Sequence, residues 1–351
     1  MNDDLAGAQP LLSICIATRN RAQYLQETLE IFAEQITAEV EVVVLDGASA
    51  DDTPRLMQDL AKKYPWLVSV RQEKNGGIDA DYDLCVRYAT GKYCWLFSDD
   101  DWPLPSSVEK VLKACRGQHS FIFIDAEVRD VEMKSLILSR RANLSQDHVI
   151  QPEQQDLVFE LTAKALSFIG SCVLKRELWL RCDFAHCSGY MFPHIGPLFD
   201  KKMPTSSLLL ANPLIAIRYG NATWSSNSFR IWMINWPVLI WKLRGVSEGA
   251  KLNVTLQKPW LDTKIIFWQR AKGIYSADEY KLLLNSFEVN FFQKLKLKAI
   301  SWIPGGLAMG MAFVAILFVK NARPFFIAEL KLSRFYKKTI LERGYNWLTK
   351  N

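Results

Sequence analysis

Over residues 11–125 the chain alternates short apolar runs with stretches whose apolar residues recur every three or four positions. Residues 11–17 form an almost wholly apolar run, the pattern of a strand covered on both faces. Thr18 or Asn20 then stands where a helix can be capped, and Leu25, Leu29 and Phe32 share one face of it. Valine-rich residues 40–45 predict a second strand. Asp51, Asp52 and Thr53, with Pro54, begin a helix lined by Leu56, Leu60 and Tyr64. Residues 68–71 read as a third strand, and Ile78, Tyr82, Cys85, Val86 and Ala89 recur at helical spacing. A fourth strand, 93–97, runs straight into Ser98-Asp99-Asp100-Asp101. Val108, Val111, Leu112 and Cys115 mark another helix, and 121–124 another strand. This rhythm predicts an α/β fold with a mostly parallel sheet covered by helices. Ligands bind such sheets beyond the carboxyl ends of the strands, where Asp46 and the acidic run both fall.

Residues 126–250 are less regular, with a helix near 153–166, strands at 170–174, 208–211 and 214–218, and a helix from about Phe229. Residues 251–351 read as helical. They hold 17 Lys/Arg against 6 Asp/Glu, while the preceding 250 hold 26 against 31. The net charge of +6 is therefore a basic tail on a mildly acidic body, and such tails meet anions. Many of the twelve Trp come late, which favours a lipid surface; with no stripe of basic and aromatic residues, nucleic acid is not an expected partner. Residues 299–319 carry no charge and as one helix would span about 31 Å, the thickness of a bilayer core. Lys294, Lys296 and Lys298 precede that segment, and Lys320 and Arg323 follow it. Pro304, Gly305 and Gly306 weaken a continuous helix, so a segment lying in the interface or dipping in and returning fits as well as a crossing. The acidic tail, residues 1–10, lacks an apolar run, so no secretory signal is expected. Seven scattered Cys without a CxxC pair suggest neither a disulfide framework nor a zinc site. The expected organisation is thus a tail at 1–10, one half of an α/β domain at 11–125, its other half at 126–250, and a helical basic region at 251–351 with the apolar segment 299–319.

The acidic run is the strongest chemical signal. Adjacent carboxylates repel one another, and a hard cation such as Mg²⁺ or Mn²⁺ relieves the repulsion while bridging to phosphate. Asp46, followed by Gly47, can accept a hydrogen bond from a nucleobase or ribose, although turn aspartates are common. An N–H donor suits it, so uracil or thymine is expected before cytosine. Asn75-Gly76-Gly77 enters a helix whose N-terminus favours phosphate, and the same residues would also serve as an ordinary cap. There is no G-x-G-x-x-G, P-loop or nucleophile elbow.

Together these residues resemble the nucleotide-binding half of a family 2 glycosyltransferase. The resemblance is carried by residues 13–21 (SICIATRNR), 42–49 (VVVLDGAS) with Asp51-Asp52-Thr53, Asn75-Gly76-Gly77, residues 89–93 (ATGKY), and Ser98 to Asp101 with Pro105. Within that family the chain looks most like O-antigen and polysaccharide enzymes such as abequosyltransferases. The resemblance implies a GT-A fold, an inverting transfer, a nucleotide-sugar donor, and a glycan or polyprenyl-diphosphate glycan as acceptor at the cytoplasmic face of a bacterial inner membrane. It implies that Asp46 binds the base and that Thr18 and Arg19 lie beside the nucleotide. The acidic run corresponds to the DXD motif, with Asp100 on the metal and Asp99 or Asp101 near the ribose or donor sugar; the frame Asp99-x-Asp101 also fits. The family's Glu-Asp base pair is missing between 160 and 210. His194 falls in its slot, with Asp183 and Asp200 as further candidate bases. Arg218, Tyr219, Asn221 and Trp224 form a polar and aromatic loop suited to the diphosphate or acceptor. A sugar-nucleotide binder without transfer, and a metal-dependent phosphoesterase, are the rival readings.

Overall fold

A computed structural model of the chain describes residues 9–142, 144–221, 227–316, 323–331, 333 and 335–336. Residues 1–8, Trp224, Lys320 and the end of the apolar segment, 317–319, lie outside the described residues. Two compact units are present, residues 1–219 with 238–255 and residues 220–237 with 256–351.

The first unit is built on β1 (Leu12–Thr18), α1 (Ala22–Ala33), β2 (Val40–Asp46), α2 (Thr53–Lys63), β3 (Leu67–Arg71), α3 (Ile78–Tyr88), β4 (Tyr93–Phe97), β5 (Trp102–Pro103), α4 (Ser107–Arg116) and β6 (Phe121–Arg129). Then follow β7 (Leu136–Leu138), β8 (His148–Ile150), α5 (Gln155–Thr162), β9 (Cys172–Lys175), α6 (Arg176–Leu180), α7 (Phe184–Cys187), α8 (Ile195–Phe199) and β10 (Ser207–Arg218). The sheet order is β3-β2-β1-β4-β9-β6-β10-β5, with β7 on β6 and β8 on β10.

As expected, β3, β2, β1 and β4 are all parallel. Beyond them the sheet becomes mixed, because β9 inserts antiparallel between β4 and β6. Both faces of β1 are buried. Leu12, Ile14 and Ile16 pack with Leu25, Leu29 and Phe32 of α1, while the Cys85 thiol of α3 sits 3.2 Å from the Val43 carbonyl. Phe32 meets Trp95 and Phe97 edge-on at 5.9 and 4.8 Å, and the buried Trp95 indole N–H reaches the Gly170 carbonyl at 2.9 Å. The buried Tyr82 and Tyr93 hydroxyls likewise reach the Phe97 and His119 carbonyls, each at 2.7 Å, as buried polar aromatics require. The two strands expected at 208–211 and 214–218 are one strand, β10, with an irregularity between Leu210 and Ile215. Asn212-Pro213 falls there, and proline has no N–H to give to the ladder. β10 lies parallel to β6, so residues 11–125 and 126–219 contribute strands to one sheet.

The second unit is helical. Along the chain come α9 (Ser228–Arg230), α10 (Trp236–Lys242, whose later part joins the first unit), α11 (Glu248–Val254, in the first unit), α12 (Thr263–Ala271), α13 (Ala277–Ser286), α14 (Phe291–Trp302), α15 (Gly305–Ile316) and α16 (Arg323–Lys331). Side-chain caps from Asp262, Ser276 and Asn290 start α12, α13 and α14, each worth about 1 kcal/mol. Phe229, Trp260, Ile266, Tyr275 and Leu283 form one core, and Ala271, Ala308, Ala312, Phe313 and Leu330 another. Among the described residues no single helix is long and apolar enough to cross a membrane; α14 and α15 meet at a 95° bend. Pro304, which has no amide hydrogen to continue α14, lies at that break.

Candidate active site

Three parallel strands deliver the site. Thr18 at the end of β1 pairs with Asp46 at the end of β2, while Ile16 pairs with Phe97, the last residue of β4. Asp46 and Asp99 therefore emerge on opposite sides of Thr18. The Thr18 hydroxyl donates to Asp99 Oδ2 at 2.7 Å, and the Thr18 carbonyl accepts from the Gly47 N–H at 3.0 Å. The two loops are clasped to each other. Asn20, at φ 55°, receives the Ala50 N–H on its side-chain oxygen at 2.7 Å and donates its own N–H to the Ser49 hydroxyl at 2.8 Å. Ala48 sits at φ 62°, a strained conformation for a residue with a Cβ and one often found at functional loops.

Asp46 is buried. Its Oδ1 accepts the Ser49 N–H at 2.8 Å, whereas Oδ2 accepts no hydrogen bond and has only Arg71 Nε at 3.6 Å. A buried carboxylate oxygen without a donor is costly, so it is suited to a ligand that brings one. A Cβ on Gly47 would sit 2.8 Å from Asp81 Oδ2, so this close approach needs glycine. Burial raises the Asp81 carboxyl above its ordinary value, opposed by the Gln72 side chain and by the exposed Arg19. Asp81 thus joins Asp46 and Arg19 in one polar recess. Asn75 and Gly76 are exposed at the entry to α3, where Asn75 Oδ1 takes the Gly77 N–H at 3.0 Å. That bond makes Asn75 a turn former, and both residues lie on the rim of the recess through Gly76, whose Cβ position is 3.4 Å from Asp81 Oδ1.

The acidic run follows β4. Arg21 Nε lies 3.0 Å from Asp99 Oδ1, and its Nη2 pairs with Asp100. Sequence reasoning placed Arg19 in the site and missed Arg21 as the cation on these aspartates. Burial first, then the charge of Asp100, pushes the Asp99 carboxyl up to about 7. Burial and Asp100 also hold Asp101 well above the usual carboxylate range. The donors of Asp99 and Asp100 are hard oxygens of the kind a divalent cation takes, and they are held by Thr18 and Arg21 on Asp99 and by Ser98 and Arg21 on Asp100. Asp101 does not belong to that set. It is turned inward, and its Oδ1 takes the Arg218 backbone N–H at 2.7 Å, which makes it a tether.

Arg218 is also not a free diphosphate ligand. Its Nε reaches the Asp100 carbonyl at 3.0 Å, Nη1 the Val131 carbonyl at 2.8 Å, and Nη2 Glu27 at 2.7 Å. The guanidinium lies over the rings of Tyr24 and Trp102 at 5.0 and 5.4 Å. Three of its five N–H groups are thus engaged in fixing the acidic loop from behind.

The candidate bases separate cleanly. His194 is buried, its Nε2 donates to the Leu166 carbonyl at 2.6 Å, and its Nδ1 has no partner. Burial depresses its pKa to about 4. A sealed imidazole cannot reach an acceptor hydroxyl, so the expectation from its position is corrected. Asp200 is buried too and paired with Arg244, with His186 Nε2 at 3.8 Å; Arg244 and the other bonds hold its carboxyl below the ordinary value against the opposing effect of burial. It is a structural ion pair. Asp183, at the start of α7, is exposed. The loop before α8 is instead pinned by Asp79, whose Oδ2 accepts the N–H groups of Gly189, Tyr190 and Met191 at 2.6, 3.0 and 3.3 Å.

Residues 13–180 match the profile of glycosyl transferase family 2. The chain is 25% identical over 298 residues to abequosyltransferase RfbV of Salmonella typhimurium, which spans 79% of this chain and 88% of that protein. A 134-residue stretch is 29% identical to chondroitin synthase of Escherichia coli, 38% of this chain but 19% of that one. The solved structure of S. aureus TarS 1–349 aligns with a TM-score of 0.51 at 15% identity, over 96% of this chain and 91% of that one, a likeness of fold.

Proposed function

With residues 13–180 forming a family 2 glycosyltransferase domain in a GT-A fold, we propose that this enzyme transfers a sugar, with inversion, from a nucleoside diphosphate to a hydroxyl of a glycan or polyprenyl-diphosphate glycan in surface polysaccharide synthesis. The observation that carries this reading is the pair of strand-end carboxylates, Asp46 and Asp99, flanking Thr18 in register. One has an acceptor oxygen open for a base, and the other belongs to an acidic edge suited to a metal-bound pyrophosphate.

In this reading Asp46 Oδ2 accepts the N3–H of uracil or thymine. Asp81 and Arg19 line the same recess beside the ribose. Asp99 and Asp100 would hold Mg²⁺ or Mn²⁺, which when bound neutralises charge on the departing diphosphate. Arg21 fixes both carboxylates in place, so little reorganisation is needed as charge develops. Asp183 is the only one of the three suggested bases open to solvent, and it takes the role of removing the acceptor proton.

The test is thermal stabilisation of the protein by UDP-, dTDP-, CDP- and GDP-sugars with each metal, followed by transfer assays with the donor that binds. A donor at 100 times its Kd stabilises by about 2.7 kcal/mol, a readily measured shift. Stabilisation by uridine or thymidine donors and loss of that response in Asp46→Asn support the reading. Failure of every donor with both metals overturns it, and donor binding without transfer would favour the silent binder.

A further inference from the structure

The outer faces of α14 and α15 have the wrong chemistry for water. Phe291 and Phe292 are each 73% exposed and Trp302 71%, and Leu295 lies on the same side. Phe292, Leu295, Ala299 and Trp302 recur at helical spacing along one stripe of α14. On α15, Leu307, Met311 and Val314 form a second exposed stripe. The opposite faces are already used: Leu297 packs with Tyr275 and Trp260, while Ala308, Ala312 and Phe313 pack with Ala271 and Leu330. Both helices are therefore apolar on two sides, although over the described residues neither is long enough to span a membrane. Exposed patches of this kind mark an interaction surface.

The charges say which partner. Residues 289–316 contain Lys294, Lys296 and Lys298, all exposed, and no Asp or Glu. Lys298 Nζ lies 5.0 Å over the Trp302 ring, which puts cation and indole at one level, as at a lipid headgroup boundary. A second copy of the chain would oppose lysines with lysines across a two-fold axis, since such an interface matches a patch with itself. We infer that α14 and α15 form a monotopic docking surface for an anionic lipid bilayer. The aromatic and aliphatic side chains enter the acyl boundary and the three lysines meet the phosphates. This surface is defined without reference to the sugar-transfer reading.

Flotation of the full-length protein on vesicles tests it directly. In 0.15 M salt the protein floats with phosphatidylglycerol-containing vesicles and far less with pure phosphatidylcholine. The variant K294Q/K296Q/K298Q binds anionic vesicles about 100-fold more weakly, at about fivefold per lysine. The variant F291S/F292S/W302S, at exposed positions where circular dichroism and melting stay unchanged, loses flotation on both. The inference is overturned if the wild type stays with the soluble fraction, or if the aromatic variant floats as well as the wild type. It is equally overturned if sedimentation shows a dimer that the aromatic substitutions dissolve. Each result is read without a donor or acceptor, so failure of the transfer assay would leave it intact.

Discussion

His194 should make the protein acid-sensitive in a way that can be assigned to one ring. Its folded pKa is about 4 against an ordinary 6.5, because burial disfavours the imidazolium. The folded value is the lower one, so the unfolded chain takes the proton first. Stability from this site is complete above about pH 6.5 and declines as the pH falls toward 4. Linkage with those two values gives a loss of about 2 kcal/mol at pH 5 and about 3 kcal/mol at pH 4. His194→Gln keeps a nitrogen near the position of Nε2, able to donate to the Leu166 carbonyl, and cannot titrate. Urea unfolding of wild type and variant at pH 7 and pH 5 should show the wild type losing about 2 kcal/mol more than the variant. His119, also depressed by burial, is common to both proteins and cancels in the difference. Turnover of the variant at pH 7 should stay within a few-fold of wild type. Equal losses for the two proteins would mean that His194 titrates as if in water. A drop of 100-fold or more in turnover with normal stability would restore it as the base.

Other outcomes follow from the same geometry. Asp46→Asn should raise KM for the donor by about 10–100-fold, the cost of a charged hydrogen bond, with kcat nearly unchanged in steady-state assays. D99N/D100N should lower turnover by at least about 100-fold and abolish the response to added Mg²⁺ or Mn²⁺; activity that persists refutes the metal assignment. Asp79→Ala should speed hydrogen exchange at the Gly189, Tyr190 and Met191 amides and destabilise the protein by about 1–3 kcal/mol. Arg244→Met takes the nearest cation from buried Asp200 and should lower stability in chemical denaturation, with donor affinity unaltered.

The first part of the sheet, through β4, was legible because its signals are local. Valine-rich and apolar runs specify β1, β2 and β4, and a carboxylate just past a buried strand has few places to go. Even so, the choice between Arg19 and Arg21 turned on Asn20 adopting a left-handed conformation, which swings the following side chain toward the aspartates; spacing alone does not encode it. β9 is four residues long, too short for periodicity to give its direction. The roles of His194 and Arg218 were misjudged for a different reason. A polar residue in a loop reads as available, and only tertiary packing shows that one is sealed against Leu166 and the other held by three acceptors.

Arg218 also limits how this enzyme can be re-engineered. It closes the last long strand while gripping Glu27 of α1, the Asp100 backbone and the Val131 carbonyl, so one side chain stitches the first part of the sheet to the part that follows. A chimera that imports residues 11–125 from a relative keeps this grip only if the import carries an acid in the place of Glu27; without one, the buried guanidinium loses its counter-charge.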